Sequence, residues 1–231
     1  MSAVPRFTLH DSVHAPDTAI WYALPAGFTD LPLVTILATP GTPAAAQLHI
    51  ALGPLLEAAP DAASRQALIA QLATAQQLLL ALREIGTVHS SIGLHRDDTE
   101  NGDGSPLLSL FTITWRDTAW APRSFAAARA VATADHHTRV EYADLPCGPA
   151  TLSETLRAPA PATGLPHPRG PLLQLHAHLP HPTGKRMAVL TLSTAAAARR
   201  EEYRTLLRQI TELVSFENPL EGEPGKARAT C

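Results

Sequence analysis

The sequence predicts an α+β domain built mainly on an antiparallel β-sheet. Several strand patterns follow one another with hairpin turns between them, and helical patterns occur only at irregular intervals. Of the 231 residues, 45% are hydrophobic and 17% charged, which is typical of a globular chain that can bury a core. Alternating βαβ units, and with them a parallel sheet, are disfavoured by this order of elements.

The first elements are a strand or hairpin followed by two helices. The stretches "FTLHDSV" and "AIWYALPAGFTDLPL" carry apolar bulk, with a turn at "PAG". Thr42 suits a helix cap and Pro43 the first helical position. The clearest helix runs from the cap candidate Asp61 to Gly86, with leucines at helical spacing.

The middle of the chain alternates between strands and one short helix. "TVHSSIGLH" and "PLLSLFTITWR" predict two strands joined by a polar loop with N-G and D-G turn signals. The second strand places Phe111, Ile113 and Trp115 on one face. A short helix in "APRSFAAARAVATAD" precedes two more strands, "TRVEYADLP" and "PATLSETLR". Residues 158–170 are rich in proline and predict a surface loop.

The last elements are a hairpin and an amphipathic helix. "LLQLHAHL" and "RMAVLTLS" predict paired strands, and Thr194 is a cap candidate for the helix that follows. An apolar stripe from Tyr203 to Val214 predicts that this helix packs on the sheet. We therefore expect one α+β domain over residues 1–217 and a flexible polar tail over residues 218–231.

Charge, hydropathy and cysteine content exclude some classes of function. A net charge of −3 offers no basic field for a phosphate backbone, so we expect no nucleic-acid binding. No run of about 18 apolar residues predicts a membrane span. Two cysteines and an N-terminus without a signal-peptide pattern favour a cytoplasmic location.

The stretch "LQLHAHLPH" contains the residues that most resemble metal ligands. Its alternation places Leu173, Leu175, Ala177 and Leu179 toward the core, and His176 and His178 on the other face. Two imidazoles at this spacing can share zinc or copper, but a site needs a third ligand. His181 lies past a turn, and His95 and His167 are donors only if the fold brings them near. We expect a solvated face or a second layer there, without a bound metal.

Cys147, in "LPCGPA", is a candidate nucleophile with an alternative structural role. A catalytic cysteine needs a lowered pKa, and nothing near it in the sequence supplies an activating group. A small apolar side chain also suits a turn against the core. The "DHH" stretch of residues 135–137 is interpreted as a helix C-cap, and the acidic loop of residues 97–103 does not match a calcium loop.

The two ends of the chain resemble Mog1/PsbP-like domains. The resemblance rests on the entry stretch "YALPAGFTDLPL", and on a strand ending in "TLST" followed by a helix with a tyrosine and then "SF". The whole chain looks like uncharacterised actinobacterial proteins of this group. The resemblance implies an α/β/α sandwich, an antiparallel sheet with helices packed on its faces. Members of the group mostly act as accessory or adaptor proteins, without shared catalytic residues.

The sequence therefore favours a non-enzymatic accessory or adaptor domain that acts by binding another protein. No phosphate loop, nucleophile elbow, zinc-binding cysteine pattern or dinucleotide-binding glycine pattern occurs. No catalytic residue and no cofactor are predicted. The alternative is a metal-dependent or cysteine-dependent enzyme that uses His176, His178 and Cys147.

Overall fold

The computed structural model consists mainly of antiparallel β-sheet. The residues it describes are 6–14, 18–31, 41–43, 45–46, 61–62, 66, 82–97, 106–132, 137–157 and 171–219. Among them, 49% lie in strands and 26% in helices. The predicted helix over residues 61–86 lies almost entirely outside the described residues, as do the loop of residues 158–170 and most of the predicted tail.

Within the described ranges, nine strands form two sheets. Their bounds in chain order are β1 Phe7–Leu9, β2 Ala23–Pro25, β3 Phe28–Asp30, β4 Thr87–Arg96, β5 Pro106–Asp117, β6 His137–Leu145, β7 Gly148–Arg157, β8 Leu172–Pro180 and β9 Arg186–Thr194. β1 and β2 pair with each other, and the other seven form one sheet in the order β3-β4-β5-β9-β8-β7-β6. Every pairing in both sheets is antiparallel.

In the part of the chain that the structure describes, two α-helices have complete bounds, α1 at Arg123–Ala132 and α2 at Arg200–Glu212. α1 contacts chiefly β7 and β8, where the Thr151 hydroxyl donates a hydrogen bond of 2.8 Å to the Ala127 carbonyl. α2 contacts β8 and β2. Short 3-10 turns lie at Asp11–His14 and Ala197–Arg199.

The hydrophobic core lies between α2, the N-terminal segment and one face of the large sheet. The predicted face of β5 is confirmed, because Phe111 and Ile113 are fully buried. The predicted face of β8 is confirmed as well, because Leu173 and its alternate neighbours are 0–2% exposed. Ile20, Tyr22 and Leu24 of the N-terminal segment complete this core.

The predicted α+β fold, an α/β/α sandwich in which helices pack on the faces of an antiparallel sheet, is wrong. Seven strands about 4.8 Å apart span roughly 30 Å, whereas one helix is about 10 Å across and covers about two strands. Each described helix accordingly covers only part of the sheet, and neither forms a layer. Over the core face, β2 and its flanking residues occupy the place that a helical layer would take.

Two local predictions about helix ends have different outcomes. Thr42 behaves as a cap, since its hydroxyl accepts a hydrogen bond of 3.3 Å from the Ala45 amide. Thr194 does not cap α2. Its hydroxyl accepts from the Ala196 amide at 3.1 Å and donates to the Leu108 carbonyl at 2.7 Å, and so joins the end of β9 to β5.

Candidate metal centre

Three side chains that can ligate a metal meet at the β3 edge of the large sheet. His10 directly follows β1, Asp30 ends β3, and His89 lies near the start of β4. The antiparallel register sets Asp30 opposite Ser91, so Asp30 and His89 are diagonal neighbours on one face. The His10 amide donates to the Tyr22 carbonyl at 3.0 Å and continues the β1–β2 ladder toward this edge.

The glycine in the turn before β3 is required for this placement. Gly27 has a φ of +98°, a left-handed conformation that glycine adopts without a steric penalty. A Cβ atom at Gly27 would also approach the Leu94 carbonyl oxygen to 3.1 Å. The tight turn therefore brings β3 beside β4, with Asp30 at the end of the pairing.

The ligand atoms of the three residues lie close together. His10 Nε2 is 2.6 Å from Asp30 Oδ2, and His89 Nε2 is 3.8 Å from Asp30 Oδ1. All three ligand atoms lie within 4.8 Å of one another. Ligands that share one tetrahedral zinc ion are about 3.3 Å apart, so small side-chain movements would complete the site.

Aromatic packing orients the two imidazoles. The His10 ring is stacked on Tyr22 with a centroid separation of 4.7 Å and an interplanar angle of 17°. The His89 ring meets His10 edge-on at 4.6 Å and lies 5.1 Å from Tyr22. Tyr22 is itself buried in the core. The rings are thus held by packing, which reduces the entropic cost of binding a metal.

The electrostatics of His89 suit metal ligation. Burial, with a smaller contribution from the neighbouring His10, lowers its pKa to about 4, although Asp30 acts in the opposite direction. His89 is therefore neutral at pH 7, the form in which imidazole binds metals. Its Nε2 atom is buried and has no hydrogen-bond partner, because 3.8 Å to Asp30 is too long for one. The Asp30 side chain is 50% exposed, so the site opens to solvent on that side.

The sequence patterns did not identify these residues as a site. His10, Asp30 and His89 are separated by 20 and 59 positions and share no local motif. The one available signal was the alternation in "TVHSSIGLH", which places His89 and His95 on the same face.

The predicted candidates His176 and His178 lie elsewhere, on the opposite face of β8. Both are largely buried, and His178 is only 6% exposed, so the solvated alternative is wrong and a second layer is the correct description. His176 Nδ1 lies 3.0 Å from the Thr191 hydroxyl. His181 points away, as expected, with its ring against Trp115 and Phe216.

A third imidazole, which the sequence interpretation assigned to a helix cap, accompanies His176 and His178. His137 lies at the start of β6 and is close enough to lower the pKa of both histidines. Residues 135 and 136 of the "DHH" stretch lie outside the described residues.

Cys147 lies in the two-residue turn between β6 and β7, as predicted. Its carbonyl accepts a hydrogen bond from Arg123 Nη2. Burial raises the pKa of its thiol, and the nearby Arg123 guanidinium opposes this only in part. A thiol with a raised pKa is protonated at neutral pH and is a poor nucleophile.

We expect Cys147 to react with iodoacetamide at pH 7.0 more slowly than free cysteine. The measurement uses a Cys231→Ser variant, so that Cys147 is the only thiol present, and follows labelling by mass spectrometry. Unfolding the same variant in urea should restore the rate of an ordinary thiol. Labelling of the folded variant faster than free cysteine would contradict the structural role and support a nucleophile.

A groove of about 480 Å³ lies between α2 and strands β6–β8. Five of the charged groups that line it form ion pairs: Arg204 binds Glu154 and Glu201, and Arg208 binds Glu141. Glu154 is 2% exposed and also accepts a hydrogen bond of 3.0 Å from the Thr138 hydroxyl. This arrangement is typical of a structural ion-pair network.

Comparison with known proteins yields no match to a family model, a curated protein or a solved structure. The Mog1/PsbP resemblance therefore stays a prediction. Within the part of the chain that the structure describes, no helix is both long and apolar enough to cross a bilayer.

Proposed function

We propose that this protein binds a divalent transition-metal ion, with zinc as the reference ion, through His10, Asp30 and His89. The observation that carries the proposal is the convergence of two imidazoles and one carboxylate, from three separate chain segments, within 4.8 Å. Imidazole nitrogen and carboxylate oxygen are common zinc ligands, and the same set is used by non-haem iron sites.

The number of protein ligands indicates whether the bound metal would have a catalytic or a structural role. Three protein ligands leave a coordination position for water, as in catalytic zinc sites, whereas structural zinc sites usually have four protein ligands. The half-exposed Asp30 side chain is consistent with access from solvent. A metal held by these residues would supply activation of water for hydrolysis, which favours the metal-dependent class of function over a purely structural site.

The metal would also link the small sheet to the large one. His10 belongs to the β1–β2 segment, whereas Asp30 and His89 belong to the large sheet. A ligand that binds only the folded state stabilises it by RT ln(1 + [L]/Kd), so the gain in stability grows with the logarithm of the ligand concentration. Zinc should therefore raise the thermal midpoint of the metal-free protein.

We expect Asp30→Asn and His89→Gln each to remove one zinc equivalent per chain and to weaken binding at this site by at least roughly tenfold. The measurement is isothermal titration of untagged, chelator-treated full chain with zinc chloride, together with thermal unfolding. His14→Gln is the matched control, because His14 is an exposed histidine in the 3-10 turn just after His10 and is not one of the three ligands. Equal zinc stoichiometry in Asp30→Asn, His14→Gln and the natural protein would overturn the proposal.

Protein–protein interaction is a second candidate function, and one observation favours it. Leu94 and Leu108 lie directly opposite each other on β4 and β5, and they are 61% and 60% exposed. Contiguous exposed apolar patches mark surfaces that contact other proteins, and this pair forms a small patch of that kind. The accessory or adaptor function is retained as a proposal on this ground, and it does not depend on the metal centre.

A further inference from the structure

The two edges of the large sheet differ in length. β3 at one edge has three residues, whereas β6 at the other edge has nine. Among the described residues β6 pairs only with β7, and the one irregularity in that pairing lies at its start, between His137 and Arg139. A long edge strand is a template for a further strand, and natural edges are commonly protected by short length, proline or lysine. β6 contains neither proline nor lysine.

The side chains of β6 are exposed on both faces of the sheet. Val140 and Tyr142 lie on one face and are 40% and 64% exposed. Valine and tyrosine both favour paired strands, so their exposure on an edge is typical of a strand that gains a neighbour. Arg139 and Glu141 lie on the other face. Arg139 is exposed and forms no ion pair with a described residue.

We propose that β6 pairs antiparallel with β6 of a second copy of this chain, across a two-fold axis at Val140. The two seven-stranded sheets would then form one continuous sheet. In this register Val140 lies opposite itself, and Arg139 of each copy lies opposite Glu141 of the other. Such an isologous contact is closed, because it uses the free edge of both β6 strands.

Charge complementarity selects this register. Antiparallel pairing across a two-fold axis places one residue opposite its own copy. An axis at Arg139 or at Glu141 would set like charges directly opposite each other, which is destabilising. An axis at Tyr142 would set Val140 opposite Asp144 and leave both charges without an opposite partner. The axis at Val140 instead forms the arginine–glutamate pair twice.

The surroundings of β6 leave room for the added ion pairs. Arg139 and Glu141 line the groove of about 480 Å³ beside α2. Arg208 binds only the Oε1 atom of Glu141, so Oε2 can accept from Arg139 of the second copy. The pairing therefore adds charge-assisted hydrogen bonds and retains the existing one. This interface is independent of the proposed metal centre, which lies at the opposite edge of the sheet.

Sedimentation velocity of the untagged, chelator-treated full chain, from about 1 μM to about 1 mM, tests the proposal. We expect a monomer–dimer equilibrium within this range. Val140→Lys should weaken dimerisation by at least roughly tenfold, because two ammonium groups then lie opposite each other at the axis. Val88→Lys is the matched control and should leave dimerisation unchanged. Val88 is 56% exposed on β4, and four strands of the sheet separate β4 from β6.

Charge reversal tests the pairing of Arg139 with Glu141. Arg139→Glu and Glu141→Arg each set like charges opposite one another at two positions, so each variant alone should be monomeric. In an equal mixture of the two variants every facing pair has opposite charges, and we expect a heterodimer. A mixture that stays monomeric would contradict the proposed contact.

Hydrogen exchange of the natural protein keeps the test valid where a substitution impairs folding. Amides of residues 139–145 should exchange more slowly as the protein concentration rises, whereas those of β3 should not change. A chain that is monomeric throughout the concentration range would overturn the proposal and leave the edge to a strand from another protein. A dimer that persists in both Val140→Lys and Arg139→Glu would overturn it as well.

Discussion

Replacing Arg204 with methionine is expected to lower the free energy of unfolding by about 3–5 kcal/mol. The Arg204 guanidinium binds the carboxylate of Glu154, which is 2% exposed and lies beneath α2. Methionine retains much of the aliphatic length of arginine but no charge, so Glu154 would keep a buried carboxylate without its cation. The loss of stability comes mainly from this unpaired charge.

Urea unfolding followed by circular dichroism measures the effect, and the double variant Glu154→Gln/Arg204→Met provides the comparison. Glutamine carries no charge, and its side-chain oxygen can still accept the hydrogen bond from Thr138. We therefore expect the double variant to be more stable than Arg204→Met alone. A loss below about 1 kcal/mol in Arg204→Met would show that the pair behaves like an exposed one.

Ile210→Ala is expected to cost about 2–5 kcal/mol, as buried large-to-small substitutions do. Ile210 is fully buried in α2, in the same core as Leu207 and Tyr203, so truncation leaves a cavity against the sheet. Leu213→Ala is the matched control, because Leu213 follows α2 but is 45% exposed. We expect its effect to stay close to the ±0.5 kcal/mol typical of surface substitutions. Equal losses in the two variants, measured by urea unfolding, would contradict the packing of α2.

Local periodicity was sufficient to predict most of the strands and their faces. The alternation around Phe111 and around Leu175 identified which side chains enter the core, because a one-residue shift in a strand reverses every side chain. The stripe of α2 was predicted from helical periodicity, except that it included Leu213, which lies beyond the end of the helix and is 45% exposed.

The layers around the sheet could not be predicted in this way. Periodicity shows that an element has an apolar face but not which element covers it. The segment containing Tyr22 was predicted as part of an early hairpin, yet it closes the core of the large sheet. His178 shows the same limit, because a polar alternating face is usually solvated and here it is buried.

The proposed metal centre at His10, Asp30 and His89 was not predicted from a motif, for a physical reason. His10, Asp30 and His89 meet because β1, β3 and β4 converge at one edge, and these contacts span up to 79 residues of chain. The "HAH" spacing of His176 and His178 indicated only two ligands, which is one fewer than a zinc site needs.

Anomalous diffraction at the zinc absorption edge, from a crystal of the zinc-loaded protein, tests the central claim most directly. The His10–Asp30–His89 assignment predicts a peak about 2.0–2.2 Å from a nitrogen of each imidazole and an oxygen of Asp30. Zinc-loaded crystals without a peak at coordination distance from these three side chains would contradict it.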